Sequence, residues 1–191
     1  MATLAALHMA KGALPTVLAR LWSQHSIEKE AKMVPVGPKL FRAHSAKHLS
    51  GAMGVISNPN LQRARKPRDM PLAIHHILNE WFVDRFGIAY REKALFCTGN
   101  ALTAAGYVSG GSSLIIIEPV GDYSVCYSAK CKDLFGVYQF YWSTSNPSAL
   151  EIRSHLDSLD FVQHYNDGLG EAAASGCEIM LVAESFRYIR C

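Results

Sequence analysis

Cys126 and Cys131, with His155 and His164 further along, are donors of the kind that bind zinc. Four residues separate the two cysteines and no second close pair follows, so no metal ligands are assigned, and the cysteines read as small buried hydrophobes. Cys97 stands at the end of a short apolar run, where a thiol activated by a histidine would serve as the nucleophile of a hydrolase, yet nothing in the spacing selects that histidine. Gly110-Gly111 lacks the lysine and helix that follow in a phosphate loop. Arg63, Arg65, Lys66 and Arg68 crowd a stretch of turn formers, residues 57–69, which reads as a solvated loop or as a surface for phosphates or an acidic target. A last group is dispersed: Arg42 after a strand-like run, Phe96-Cys97-Thr98-Gly99 at the end of another, and Glu178 opening a third. Taken singly these are a surface cation, a strand end and an exposed carboxylate.

The elements that must position these groups lie in a chain of 191 residues, enough for one domain with an appended arm. Hydrophobic residues make up 49% and charged residues 18%, which supplies a core and excludes a disordered chain. The formal charge of +3 permits an anionic ligand without requiring nucleic acid. Five cysteines without a CxxC pair fit a reducing cytoplasm, and no apolar run approaches the roughly 18–20 residues of a membrane-spanning helix. Residues 1–25 contain no acid, and Leu14, Val17, Leu18 and Leu21 follow helical spacing. Lys11 and Arg20 interrupt what would be a signal peptide. Residues 1–35 therefore read as a helical arm that packs on the domain, on a second copy or on an inhibitor, with the main domain over 36–191.

Within the domain, Lys39 to Ala43 reads as a strand ending near Arg42. Ile74, Ile77, Leu78, Trp81 and Phe82 define one buried face of a helix, with Asp69 as cap, Pro71 in its first turn, Gly87 as its end, and His75 and His76 on its polar side. Residues 94–98, 114–117 and 123–127 read as three strands, with a short helix after Asn100 between the first two. A second helix is expected over 154–165, and a closing hairpin over 178–189 turns at Ala183-Glu184-Ser185. Helices early and strands late argue for an α+β domain.

In order and local context, the dispersed group resembles the ADP-ribosyltransferase superfamily in its arginine-serine-glutamate form. The pieces that carry the resemblance are Leu40-Phe41-Arg42, Leu95 to Gly99 with Ala104, Ala105 and Tyr107, Leu114 to Glu118, and Cys177-Glu178-Ile179-Met180-Leu181 running into Ser185-Phe186-Arg187, in outline residues 39–190. The resemblance implies mixed, mainly antiparallel sheets with flanking helices, NAD as the molecule consumed, and a macromolecular acceptor, protein or nucleic acid. It also implies a toxin or phage-type effector role. Cleaving the bond between nicotinamide and ribose develops an oxocarbenium-like cation, which a carboxylate at Glu178 on the ribose hydroxyl would stabilise in the transition state. Arg42 would fork onto cofactor oxygens, Thr98 would brace the site, and Tyr90 or Tyr107 would stack on nicotinamide. Family members that modify arginine resemble one another in a second acid two places before the catalytic Glu; here that position is Gly176, which argues against arginine as acceptor. Cys97 and Gly99 stand where the family usually has serines. The alternative is a non-catalytic module that binds nucleic acid or protein through the basic loop 63–68.

Overall fold

The computed structural model describes residues 37–191; the arm expected over 1–35 lies outside them. The strands are β1 (Leu40–Ser45), β2 (Met53–Ser57), β3 (Leu95–Cys97), β4 (Ser112–Tyr127), β5 (Val162–Tyr165) and β6 (Ile179–Arg190). Between them run α1 (Leu72–Phe86), α2 (Tyr90–Lys93), α3 (Ala101–Ala105), α4 (Leu134–Val137), α5 (Ala149–Ser158) and α6 (Leu169–Ser175). All pairings are antiparallel in one six-stranded sheet of order β1-β4-β6-β2, with β3 added to β6 and β5 to β4. The domain is thus α+β, an antiparallel sheet with flanking helices.

Two long strands form the spine, and both were expected to be interrupted. The runs at 114–117 and 123–127 belong to one strand, β4, because a bulge between Val120 and Tyr123 absorbs Gly121 and Asp122. Gly121 takes φ +74 there, a conformation open to glycine. The expected closing hairpin is likewise a single strand, β6, whose Ala183-Glu184-Ser185 lies opposite that bulge. The Glu184 carbonyl accepts from the backbone of Asn58 at 2.8 Å, so a polar stretch mid-strand is satisfied without turning the chain.

Alternation along β6 divides the core in two. Ile179, Leu181 and Ala183 pack with Leu40, Ile115, Ile117 and Tyr188, whereas Met180 and Val182 face Leu78, Phe82, Tyr90, Ile152 and Leu156 of the helical layer. Each fully buried side chain of this size contributes about 1.5–3 kcal/mol.

The helix with the strongest periodicity is present as α1, ending at Gly87 with φ 73, but Pro71 precedes it and Asp69 does not cap it. His75 is wholly buried, contrary to its expected polar-side place. The second expected helix, 154–165, starts earlier and ends sooner. Ser148 and Glu151 cap each other at its start, Asp160 at φ 50 breaks the chain after it, and 162–165 pairs with β4 as β5. Asn100 caps α3 as expected, accepting from the backbone of Thr103 at 3.0 Å.

Candidate functional site

The segments that carry the three dispersed groups adjoin where the start of β1, the end of β3 and the start of β6 run side by side. Leaving β3, Thr98 exchanges two backbone hydrogen bonds with Phe41 of β1, at 2.7 and 3.0 Å, closing a ring of pairings through β1, β4, β6 and β3. The Thr98 hydroxyl donates to the carbonyl of Gly176 at 3.1 Å and accepts from the backbone of Asn100 at 3.1 Å. Thr98 is therefore a buried brace that fixes the segment just before Glu178.

Between Thr98 and Asn100 there is no room for a side chain. A Cβ on Gly99 would stand 1.8 Å from the carbonyl oxygen of Ala173 in α6, so helix and strand end touch backbone to backbone. Gly176 ends α6 with φ 65, which disfavours any side chain at the position two before Glu178.

Glu178 directly precedes β6 and its backbone donates to the carbonyl of Lys132 at 2.7 Å. Its Oε1 accepts from Nη1 of Arg91 at 3.0 Å; among the described residues Oε2 accepts no hydrogen bond. The side chain of Arg91 is 6% exposed and that of Glu178 20%, so the pair is shielded while the carboxylate keeps an open edge. Phe96 supports the pair from β3: the guanidinium carbon of Arg91 lies 4.7 Å from its ring centre and that of Arg65 lies 4.5 Å away.

Arg42 comes from β1, with Nε and Nη1 buried and without a hydrogen-bond partner among the described residues. Burial pushes its guanidinium down to about 10, Cys97 acting against the shift and Arg65 adding to it. Tyr107, beyond α3, is 63% exposed; its hydroxyl is raised by burial and then by Asp133 and Glu178, which places the ring in the field of the carboxylate.

Tyr90 does not join the site. It is fully buried against Phe82 and Phe86, and its hydroxyl is bonded to Ser124 and, at 2.9 Å, to Gln163, which leaves no face for a ligand. Cys97 is buried as well. Burial, then partly opposed by Arg42 and reinforced by Glu178, pushes its thiol up to about 12, and Sγ lies 3.8 Å from the Ile179 carbonyl. The weighed zinc donors are scattered: Cys126 lies in the core, His155 rests on Tyr141 and Trp142, and His164 stacks on Tyr127. Among the described residues no group of three or more His, Cys, Asp or Glu converges as a metal site.

Sequence reasoning missed Arg91 and named Phe96 only as part of a strand end. Arg91 stands between Tyr90 and Glu92-Lys93, and the carboxylate that pairs with it is 87 residues away. A groove of about 440 Å³ beside the β4 bulge, lined by Tyr123, Tyr165, Asp122 and Glu184 among others, includes none of Arg42, Thr98 or Glu178. No family model, no curated protein and no solved structure matches the chain. Among the described residues no helix is long and apolar enough to cross a membrane.

Proposed function

We propose that the protein is an NAD-dependent ADP-ribosyltransferase of the arginine-serine-glutamate kind, acting on a macromolecular acceptor. The observation that supports this reading is the tie from Phe41 through Thr98 to Gly176, which joins the strand of Arg42, the Thr98 hydroxyl and the backbone two residues before Glu178. NAD fits as a substrate because the orphaned donors of Arg42 lack an oxygen-rich anion and Glu178 keeps Oε2 open.

In this mechanism Arg91 holds Oε1, so the carboxylate presents Oε2 to a ribose hydroxyl and stabilises positive charge developing on the sugar. The glycosidic bond breaks with its electron pair leaving on nicotinamide; the acceptor nucleophile forms the new bond to the sugar and gives up its proton. Tyr107, which is exposed, is the ring for stacking on nicotinamide. Gly176, with no side chain to contribute, supplies no second acid, which favours an acceptor other than arginine.

The test is NAD turnover by the full chain, wild type beside Glu178→Gln, with and without lysate as a source of acceptor. Glu178→Gln is expected to lower turnover by about 100-fold or more, the scale for losing one preorganised transition-state contact. Undiminished turnover refutes the reading. A binding module remains the second reading because Arg63, Lys66 and Arg68 are all exposed in one loop. It predicts salt-dependent oligonucleotide binding with no NAD consumption.

A further inference from the structure

The groove of about 440 Å³ beside the β4 bulge has no part in the chemistry above. At the bulge, Gly121 and Asp122 together stand opposite the single residue Glu184 of β6. Two residues against one re-aim the side chains of a strand, and here a carboxylate from each of two neighbouring strands lines one groove. Asn166 locks the arrangement. At φ 54 its backbone donates to the Tyr123 carbonyl at 3.1 Å, its Oδ1 accepts from the backbone of Tyr123 at 2.8 Å, and its Nδ2 donates to Asp122 Oδ1 at 3.0 Å. Asp122 Oδ2 and both carboxylate oxygens of Glu184 accept no hydrogen bond and meet no cation among the described residues.

Rings and aliphatic side chains make up much of the remaining wall. Tyr165 is 61% exposed and Leu61 42%, while Tyr123 packs against the core. Burial and then Asp167 push the Tyr123 hydroxyl up, so a third carboxylate adds to the field. No lysine, arginine or histidine lines the groove, in a chain whose formal charge is +3. Anions are therefore repelled and cations drawn in. A second groove, of about 230 Å³, shows what such a set of groups takes. It is lined by Trp81, Asp84, Arg85, Arg153 and Asp157; Arg153 lies on Asp84, and Trp81 donates to Asp157 at 2.9 Å. There the chain supplies its own guanidinium to a ring and two carboxylates, whereas beside the bulge it supplies none.

We propose that the groove beside the β4 bulge binds an arginine side chain of a partner protein, its guanidinium forked between Asp122 and Glu184 and stacked on Tyr165. A planar guanidinium meets carboxylates and a ring at once, which the compact ammonium of lysine does less well. A polypeptide is the carrier because Leu61 and Tyr165 leave apolar surface on the wall that a small free cation would not cover. Glu178 lies about 20 Å back along β6, at about 3.3 Å per residue, so an arginine held here is bound and not modified, and its binding is separate from the transferase reading.

Calorimetry on the full chain tests this with the peptide acetyl-Leu-Arg-Leu-amide, its lysine and citrulline counterparts, and free agmatine. The arginine peptide should bind saturably and at least about tenfold more tightly than the citrulline peptide, which keeps the shape and loses the charge, with the lysine peptide between them. Asp122→Asn, which still offers Asn166 an acceptor, and Glu184→Gln should each weaken binding about five- to tenfold. Tyr165→Leu should weaken it about two- to fivefold. Glu80→Gln, which removes one exposed charge from α1, should leave it within about twofold, and thermal melts check that every variant is folded. Equal binding of the arginine and citrulline peptides overturns the proposal. So does the lack of saturable binding at millimolar concentration, or a loss in Glu80→Gln as large as in Glu184→Gln. Agmatine binding as tightly as the arginine peptide makes the occupant a free cation and overturns the assignment of a protein partner. Peptide binding without NAD turnover sinks the transferase reading and leaves the groove's role standing; turnover without peptide binding does the reverse.

Discussion

Replacing Arg91 with methionine isolates the contact that aims Glu178. Methionine keeps an unbranched stem against Phe96 and removes only the charge, so the loss reports the ion pair and the contact of the cation with the ring. Removing one partner of a fully buried pair costs about 3–5 kcal/mol because the other charge is stranded. Glu178 is 20% exposed, so water reaches the stranded carboxylate and the cost falls toward the lower end. Arg65, whose charge Arg91 disfavours, is relieved by the change, which subtracts further. The net expectation is a loss of about 2 kcal/mol, or a fall in Tm of about 4–8 °C for a domain of this size. Glu178→Gln retains an amide oxygen for Arg91 and should cost about 1 kcal/mol. Urea unfolding of wild type, both single variants and the double variant completes a cycle in which the coupling should be at least about 1 kcal/mol. A coupling below about 0.5 kcal/mol would mean that Arg91 does not hold the carboxylate, and the account of how Oε2 is presented would fail with it.

Gly99→Ala drives a Cβ into the Ala173 backbone, so it should destabilise by about 1–3 kcal/mol or more, while Gly110→Ala, with nothing within 4 Å, should leave the melt almost unchanged; equal melts would refute the close approach of α6. Acid should also weaken the fold. His75 is lowered to about 4 by burial, then Arg91, Arg65 and His76, and His44 to about 4 by burial, then Arg42 and His48. Between pH 6.5 and about 4 the unfolded chain binds protons that the folded chain refuses, so stability is full above pH 6.5 and drains away as the pH falls through that window. His75→Phe should remove about 2–3 kcal/mol of that pH dependence and leave the Tm at pH 7.5 within a few degrees; an unaltered slope in pH-dependent unfolding would show that His75 is not the group responsible.

Where an element's signal is local, the sequence carries it. The face Ile74, Ile77, Leu78, Trp81, Phe82 announces α1, and Asn100 announces the start of α3, because periodicity and capping act within a few residues. The interruptions of β4 and β6 misled for the opposite reason. Pro119, Gly121 and Asp122 are the residue types of a turn, and only pairing with a strand more than sixty residues away makes them a bulge. The Ser148 and Glu151 capping box was in plain view, but the apolar spacing further on drew the helix past Asp160.

The site divides along the same line. Thr98 and Glu178 are legible because each flanks a strand, and strand ends are where a sheet exposes side chains to a ligand; Arg42, expected near the end of its strand, lies inside β1, which runs on to Ser45. Arg91 is not legible, since its burial depends on Phe96 and on a carboxylate from the far end of the chain. The apparent defects of the motif also acquire causes only in three dimensions. Gly99 is the residue that lets α6 lie against the strand end, which allows Thr98 to reach the Gly176 carbonyl, and Gly176 is the left-handed residue that turns the chain from α6 into Glu178. A serine at the first position or an acid at the second would displace the very segment that carries the carboxylate. Thr98 is then left as the one hydroxyl that this backbone geometry can seat between β1 and the approach to β6.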